Sequence, residues 1–336
     1  SGCTAGSRPD RTQRTPDSIT RSAGNVPDVD RQGFKMNKLK YYVITSPMKV
    51  AGAFSLRLAQ LIGSWGGDLA WKLDTEARKV TETNVRLCFP ELSQQEQNTL
   101  ARSSLRHTGM TAIEIPMMWE WPVEKCLKQI RETRGIELVD QALATGKGLV
   151  LLAPHLGNWE LAGLFFSSRY NMAALYSPPK MPEFEDYMIK VRGRLGSELV
   201  RGDRKGLSRL IGILKEGGIA GILPDQSPRG KNNAYAPFFG IEVRTMNLAS
   251  KLLQKTGAAV LVCYAERLPN HQGFRLVVTE PEPGMADEDP VMAATALNQS
   301  VENVVRRIPE QYQWEYKRFR HQPEGRPNPY KESGKN

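Results

Sequence analysis

The chain has 336 residues, 40% of them hydrophobic and six of them tryptophan, which is enough apolar material for one large domain with a sizeable core. Its 46 basic and 36 acidic residues leave a formal net charge of +10, a balance that attracts nucleic acid, an acidic carrier protein or an anionic membrane surface. No helix-turn-helix, zinc-finger or RNA-recognition signature is present, so we expect no nucleic-acid partner. The four cysteines lack CxxC spacing, which argues against a structural zinc site or a disulfide framework and favours a reducing compartment.

Residues 1–35 are polar, with almost no large apolar side chains, and we expect a disordered segment or a non-native leader before Met36. Residues 36–73 read as one or two amphipathic helices. Charges interrupt their apolar runs before these reach the roughly 18 residues of a spanning helix. Anchoring at a membrane surface and packing on the domain core are equally weighted interpretations of these helices.

Residues 74–323 are predicted to form the main domain, and residues 324–336 a polar tail. Ser93 and Glu96 have the spacing of a capping box at the start of a helix. The long amphipathic stretch that follows, residues 103–121, is rich in methionine and tryptophan. Such residues most often pack in a core, and the alternative is that they line a pocket for an acyl chain.

The stretch GKGLVLLAPHLGNWELAGLFF, residues 146–166, has the pattern of a buried strand, a tight turn and the start of a helix. His155 follows the strand, Asn158 is the predicted N-cap, and Glu160 falls in the first helical turn. His155 acting as a general base with Glu160 orienting its ring is one interpretation. A structural histidine beside a carboxylate that complements the helix dipole is the other, and spacing alone does not choose between them.

Alternating strand and helix patterns after this stretch predict an α/β fold with a mostly parallel central sheet flanked by helices. Asp225, Gln226 and Arg229 end a later strand and are expected at the same sheet edge as His155. Arg194 and Arg204 lie near two further strand ends. Because a guanidinium group donates paired hydrogen bonds to phosphate, these arginines form a candidate anion site, and a solvated basic face is the alternative.

Four ordered stretches resemble the late acyltransferases of lipid A biosynthesis, a branch of the lysophospholipid acyltransferase superfamily. They are HLGNWE at His155, GDRKG at residues 202–206, LPDQSPRG with the following PFFG at residues 223–240, and PEQYQWEYKRF at residues 309–319. The resemblance spans roughly residues 84–323. Asp225 and Gln226 stand where glycerolipid members of the superfamily carry a phosphate-binding motif, which puts a glycerol-phosphate substrate in doubt.

The resemblance implies transfer of a fatty acyl group from acyl carrier protein to a hydroxyl of a lipid A precursor, with His155 as base and Glu160 as its orienting partner. It also implies substrate-binding roles for a set of polar residues. That set is Asn158, Arg194, Arg204, Asp225, Gln226, Arg229 and Arg318. A closing segment, residues 313–319, is implied to cover the polar part of the site. Backbone amides of the turn would stabilise the oxyanion, and neither a metal nor a cofactor is expected. An N-terminal membrane anchor on the cytoplasmic face of the inner membrane is typical of such proteins.

Two other functions stay open. The same chemistry could act on a lysophospholipid, an ornithine lipid or another glycolipid. A non-catalytic basic protein could instead bind anionic lipid, with His155 and Glu160 in structural roles. The sequence lacks a GxSxG elbow, a phosphate-binding GxxxxGK[ST] loop and an HExxH motif, so a covalent serine mechanism has no support and the acceptor's own hydroxyl is the expected nucleophile.

Overall fold

A computed structural model of the chain describes residues 38–179, 181–228, 233–323 and 325–331. The helices in these ranges are α1 Lys38–Gly52, α2 Leu56–Lys72, α3 Glu76–Cys88, α4 Gln94–Glu120, α5 Val123–Leu127, α6 Glu137–Ala144, α7 Trp159–Ser167, α8 Pro182–Arg192, α9 Arg204–Lys215, α10 Leu248–Thr256 and α11 Pro290–Val305. The strands are β1 Ile130–Arg134, β2 Leu149–Leu152, β3 Met172–Tyr176, β4 Glu198–Arg201, β5 Ile219–Ile222, β6 Asn233–Phe238, β7 Ile241–Met246, β8 Ala259–Arg267 and β9 Phe274–Thr279. The predicted disordered leader and Arg229 lie outside the described residues.

Seven of these strands form one sheet, in the order β1-β9-β8-β2-β5-β3-β4. Neighbouring strands are parallel throughout, except that β8 and β9 pair antiparallel. The predicted α/β fold with a mostly parallel sheet flanked by helices is therefore confirmed. β2 lies between β8 and β5, so the turn that follows β2 opens at the middle of the sheet's edge, where parallel α/β sheets bind ligands.

The central strands are short and apolar because both faces of the sheet are covered. All four residues of β2 and all four of β5 are buried. Their side chains alternate between two core layers: Leu149 and Leu151 pack in one layer with α6 and α7, and Val150 and Leu152 pack in the other with α9, α10 and α11. The strands thus hold their carboxyl ends rigidly at the sheet edge.

Helix α2 packs against α4 at very short range through glycines. A Cβ atom on Gly63 would lie 2.5 Å from the carbonyl oxygen of Gly109, and one on Gly67 would lie 2.3 Å from that of Leu105. The opposite face of α2 is open to solvent. Packing on the core therefore holds for one face of α2, and anchoring at a membrane surface stays a prediction. Within the described residues, no helix has both the length and the apolar character to span a bilayer.

The PFFG stretch forms the tight turn of the β6–β7 hairpin rather than a wall of the site. Phe239 and Gly240 both have positive φ angles there, 50° and 73°. Phe238 and Phe239 are buried, and Phe239 contacts the rings of Phe89 and Trp314 at centroid distances of 5.2 and 5.7 Å. The two phenylalanines of this stretch therefore pack in the core.

Candidate active site

The turn between β2 and α7 is fixed by its backbone. Gly157 has a φ angle of 63°, and a Cβ atom there would lie 2.0 Å from the carbonyl oxygen of Ala265, so only glycine fits. The amide of Gly157 donates to the carbonyl of Gln311 at 3.0 Å, and that of Asn158 donates to the carbonyl of Ala265 at 2.8 Å. The amide of Gln313 in turn donates to the carbonyl of His155 at 3.1 Å. The turn is therefore held between β8 and the closing segment.

His155 is paired with Asp225, which follows the neighbouring strand β5. The Nδ1 atom of His155 lies 2.9 Å from Oδ1 of Asp225, and the backbone amide of His155 donates to Oδ2 at 3.0 Å. Only 2% of the Asp225 side chain is exposed. Burial opposes the charge of Asp225, yet the charge of His155 and its two hydrogen bonds outweigh burial and hold the pKa of this carboxyl below its usual value.

This pairing selects one tautomer of the neutral histidine. A proton on Nδ1 points to the carboxylate of Asp225, which leaves Nε2 with a free lone pair. The side-chain nitrogen of Gln226 lies 3.2 Å from Nε2 and also donates to Oε1 of Gln313 at 3.2 Å. Nε2 is thus the basic nitrogen, and it faces a polar group that a substrate hydroxyl could replace.

The predicted orienting contact between Glu160 and His155 is wrong. Glu160 accepts hydrogen bonds from Nε1 of Trp119 at 2.9 Å and from Nε of Arg192 at 3.0 Å, and a second Arg192 nitrogen completes a bidentate ion pair. The first turn of α7 directs Glu160 towards α4 and α8, whereas β5 brings Asp225 directly alongside His155. Burial alone would lower the pKa of Arg192, and the Glu160 carboxylate reverses that effect and raises it.

Asn158 was predicted to bind substrate, but its side chain is fully committed inside the protein. Its Oδ1 accepts from the amide of Leu161 at 2.9 Å as the N-cap of α7, and its Nδ2 donates to Glu114 at 3.1 Å. Glu114 is itself buried against Arg267, with both side chains at most 2% exposed. The structure therefore gives Asn158 a positioning role beneath the turn.

Three of the predicted phosphate or substrate ligands need separate descriptions. Arg194 donates to the backbone carbonyls of Met118, Trp119 and Trp121 at 2.7–2.9 Å and so caps the end of α4. Arg318, only 3% exposed, donates to the carbonyl of Arg244 at 2.7 Å. Hydrogen bonds within the protein therefore occupy both guanidinium groups, which argues against the predicted phosphate-binding roles. Arg204 lies exposed at the start of α9, and its role stays a prediction.

A cavity of about 1140 Å³ opens beside His155, slightly above the range of roughly 300–1,000 Å³ that is usual for small-molecule sites. Polar side chains around its catalytic end include His155, Glu160, Arg192, Gln226, Gln313 and Tyr316. The rest of the wall is largely apolar, with Met118, Leu151, Leu164, Phe166, Met172 and Met188. Part of the methionine-rich stretch of α4 therefore lines a pocket that suits a long hydrocarbon chain, while Met117 packs in the core.

The amides within the turn itself are already occupied, and an oxyanion site made by amides near the turn stays a prediction. The amides of Leu156, Gly157 and Asn158 all donate to backbone carbonyls. The side chains of Gln226 and Arg192 line the cavity beside His155 and are the alternative donors. Sequence reasoning did not assign Arg192 to the site, although its position on α8 before Arg194 placed it near the predicted anion site. Within the described residues, no cluster of His, Cys, Asp and Glu could hold a metal ion.

A histidine paired with a buried carboxylate, beside a largely apolar cavity at the edge of an α/β sheet, suits an enzyme that acts on a lipid chain. Comparison with known proteins makes this specific. The family model described as bacterial lipid A biosynthesis acyltransferase matches residues 33–321. Because that match covers most of the chain, the protein belongs to this family and is an acyltransferase.

Individual relatives agree with the family match. The chain is 29% identical over 270 residues to the lipid A biosynthesis lauroyltransferase of Escherichia coli K12, which covers 80% of this chain and 87% of the relative. It is 30% identical to the palmitoleoyltransferase of the same strain with the same coverage. Identity to the strain's lipid A biosynthesis myristoyltransferase is 26%, over 79% of this chain and 82% of the relative. These relatives carry three different acyl chains in their names, so chain length varies among similar sequences.

Proposed function

We propose that the protein transfers a fatty acyl group from acyl carrier protein to a hydroxyl of a lipid A precursor, with His155 as the general base. The observation that carries this proposal is the pairing of His155 with buried Asp225 at the polar end of the large cavity. Family membership supports the acceptor class. The formal charge of +10 suits an acidic carrier protein and a phosphorylated lipid.

In the proposed reaction, Nε2 of His155 takes the proton of the acceptor hydroxyl as its oxygen attacks the thioester carbonyl. A carbon–oxygen bond forms, and the tetrahedral intermediate places a negative charge on the former carbonyl oxygen. Arg192, whose position is fixed by Glu160, and the amide of Gln226 are the nearby donors for that charge. The carbon–sulfur bond then breaks, and the imidazolium returns its proton to the leaving thiolate. Asp225 holds the ring and stabilises the imidazolium between these steps.

Membrane association is part of the proposal and rests on the outer face of α2. Leu58, Leu61, Ile62, Trp65 and Leu69 follow one another at helical spacing and are 38–68% exposed. Exposed Arg57 and Lys72 flank this stripe. A basic, apolar helix face of this kind lies favourably in the interface of an anionic membrane. The cytoplasmic face of the inner membrane is the proposed location, where an acyl carrier protein can reach the site.

The proposed function is tested by incubating the protein with acyl carrier protein that bears a labelled fatty acid and with a panel of acceptors. The panel contains a phosphorylated lipid A precursor, a lysophospholipid and an ornithine lipid precursor. We expect label in the lipid A precursor above all others. Preferential labelling of another acceptor would support the alternative substrate, and no labelling of any acceptor would contradict catalysis of this kind.

The length of the acyl chain should depend on Gly163, one turn after Glu160 on α7. Gly163 lines the large cavity, and a Cβ atom there would meet no other atom within 4 Å. At 1.5 Å of helix rise per residue, it lies roughly 4.5 Å farther along α7 than Glu160. Gly163→Met is therefore expected to lower kcat/KM for the longest accepted donor by at least about tenfold relative to the shortest one. Rates with a series of acyl carrier protein thioesters measure the ratio, and an unchanged ratio would place the chain elsewhere.

The exposed Arg204 is the remaining candidate for binding an acceptor phosphate. Arg204→Ala should lower kcat/KM for a phosphorylated acceptor by roughly three- to tenfold more than for its dephosphorylated form, as expected for an exposed charge-assisted contact. Arg194→Ala is the matched control: it should lower stability by uncapping α4 and leave the ratio between acceptors unchanged. Equal losses on both acceptors in Arg204→Ala would assign this residue to a solvated basic face.

A further inference from the structure

His155 borders a second, smaller cavity of about 160 Å³ in addition to the large one. Residues of α4, the catalytic turn and the closing segment line this small cavity, among them Thr108, His155, Trp159, Gln313 and Glu315. Glu315 is a half-buried carboxyl that the mechanism above does not use. An ionisable group that shares a small cavity with a catalytic histidine calls for a chemical explanation.

A series of polar contacts connects the two residues. Thr108 donates to Oε2 of Glu315 at 2.8 Å, and the Gln313 side chain lies near enough to this carboxyl to favour its charged form. Oε1 of Gln313 accepts from Gln226, whose nitrogen lies 3.2 Å from Nε2 of His155. Glu315 is thereby linked through Gln313 and Gln226 to Nε2 of His155, the nitrogen that exchanges protons in the proposed reaction.

The charge of Glu315 depends on this environment. Burial raises the pKa of Glu315 above its usual range, and the hydrogen bonds from Thr108 and Gln313, together with the charge of His155, counteract only part of that rise. The carboxyl therefore protonates at a higher pH than a solvated glutamate. The influence of His155 on Glu315 has to be mutual, because the two charges share one interaction energy.

Other charged groups near the small cavity are already paired. Asp225 holds the opposite ring nitrogen of His155. Arg267 reaches the cavity wall at Thr111 and is neutralised by Glu114. Half-buried His107, beside Thr108 on α4, has its pKa lowered to about 3 by burial and by Arg267, so it is neutral at physiological pH. Among the described residues that line the small cavity, Glu315 is the one acidic side chain that faces His155.

We propose that Glu315 is a second carboxylate of the active site, which acts across the small cavity to stabilise the imidazolium that His155 becomes during transfer. It is a positioning and charge-supplying residue, since it contacts Thr108 and Gln313 and not the reacting atoms. The proposal deepens the proposed function and rests on it. An ionised Glu315 gives the transition state a favourable charge interaction. As the pH falls, Glu315 becomes protonated and this interaction is lost.

The test compares wild type with Glu315→Gln, which keeps the shape and hydrogen-bonding capacity of the side chain and removes its charge. We expect kcat to fall roughly three- to tenfold with little change in KM, because the variant alters proton transfer and not substrate binding. The fall in rate on the acidic side of the pH profile should also become less steep. Thr108→Val, which removes a hydrogen bond that favours the ionised carboxyl, should instead move the acidic limb to higher pH.

A second readout needs no substrate. In NMR titrations, the His155 imidazole signal should change at a lower pH in Glu315→Gln than in wild type, because a nearby opposite charge is removed. The signal is assigned by its absence in His155→Asn. If wild type transfers no acyl group, the proposed function fails while the titration still tests the coupling between the two residues.

Glu310→Gln provides the matched control. Glu310 lies in the turn just before the closing segment, and burial raises its pKa as well, but it does not line the small cavity. Its substitution should leave both the pH profile and the His155 titration as in wild type. An unchanged pH profile and an unchanged His155 midpoint in Glu315→Gln would overturn the proposal, and so would equal effects of both substitutions.

Discussion

Replacing His155 with asparagine is expected to lower kcat/KM for acyl transfer by about 10²–10⁴-fold, the usual contribution of a general base. Asparagine cannot accept the proton of the acceptor hydroxyl at neutral pH. Its amide can still donate to Asp225, so the buried carboxylate keeps a partner and the fold should persist. Rates with labelled acyl carrier protein and a lipid A precursor measure the loss, and thermal unfolding checks that the variant is folded.

Asp225→Asn should also lower kcat/KM for acyl transfer, since a neutral amide no longer fixes the tautomer of His155 or stabilises its charged form. His321→Asn is the matched control, because His321 is exposed and lies outside the site. The control should retain normal transfer. Near-normal turnover by folded His155→Asn protein would refute the proposed base.

Arg267→Met is expected to lower the free energy of unfolding by about 3–5 kcal/mol, the usual effect of removing one partner from a buried ion pair. Arg267 donates to both carboxylate oxygens of Glu114, which also accepts from Gln60 at 2.8 Å and from Asn158 at 3.1 Å. Without the guanidinium group, the negative charge of Glu114 stays buried among neutral donors. Urea denaturation of wild type and variant measures the difference.

Arg275→Met, on the neighbouring strand β9, is the control for the loss of stability expected in Arg267→Met. Arg275 also forms two ion pairs, with Glu132 and Glu266, but these side chains are 19–39% exposed. Water screens such pairs, so we expect Arg275→Met to lower the free energy of unfolding by no more than about 1 kcal/mol. Equal losses in the two variants would show that the Glu114–Arg267 pair has no special structural importance.

The sheet was predictable because its signals are local. Short apolar runs between turn residues, such as residues 149–152, favour strands with both faces covered, and the helical patterns between strands imply parallel connections. The antiparallel pairing of β8 and β9 could not be predicted, since the sequence showed only two successive strand patterns there. The order of strands across the sheet was not predictable, since it depends on which helices cover which face.

That missing strand order explains the main error at the site. Glu160 is close to His155 in sequence, so local spacing favoured it as the partner of the ring. Asp225 is 70 residues away, and it becomes the partner because β5 pairs directly with β2. A strand-end acidic residue was recognised in the sequence, but its distance from His155 required knowledge of the sheet.

Arginines were misassigned for a different physical reason. Sequence patterns show where a guanidinium group is attached to the chain, and not whether backbone carbonyls already occupy it. Arg194 binds three carbonyls at the end of α4, and Arg318 binds a carbonyl of β7. Helix ends leave unpaired carbonyls that must find donors, so a long basic side chain nearby is often used there. Arg192, which pairs with a carboxylate at the cavity, could not be distinguished from Arg194 by composition alone.

The central claim is that His155 catalyses ester formation on a lipid A precursor. Mass spectrometry of that precursor after incubation with acyl carrier protein thioester tests it most directly. With wild type, we predict a mass gain of one acyl chain, removable by mild alkali as an ester is, and no such gain within the same time with His155→Asn. An unmodified precursor after incubation with folded wild type, or the same acylated product from His155→Asn at the wild-type rate, would contradict the account.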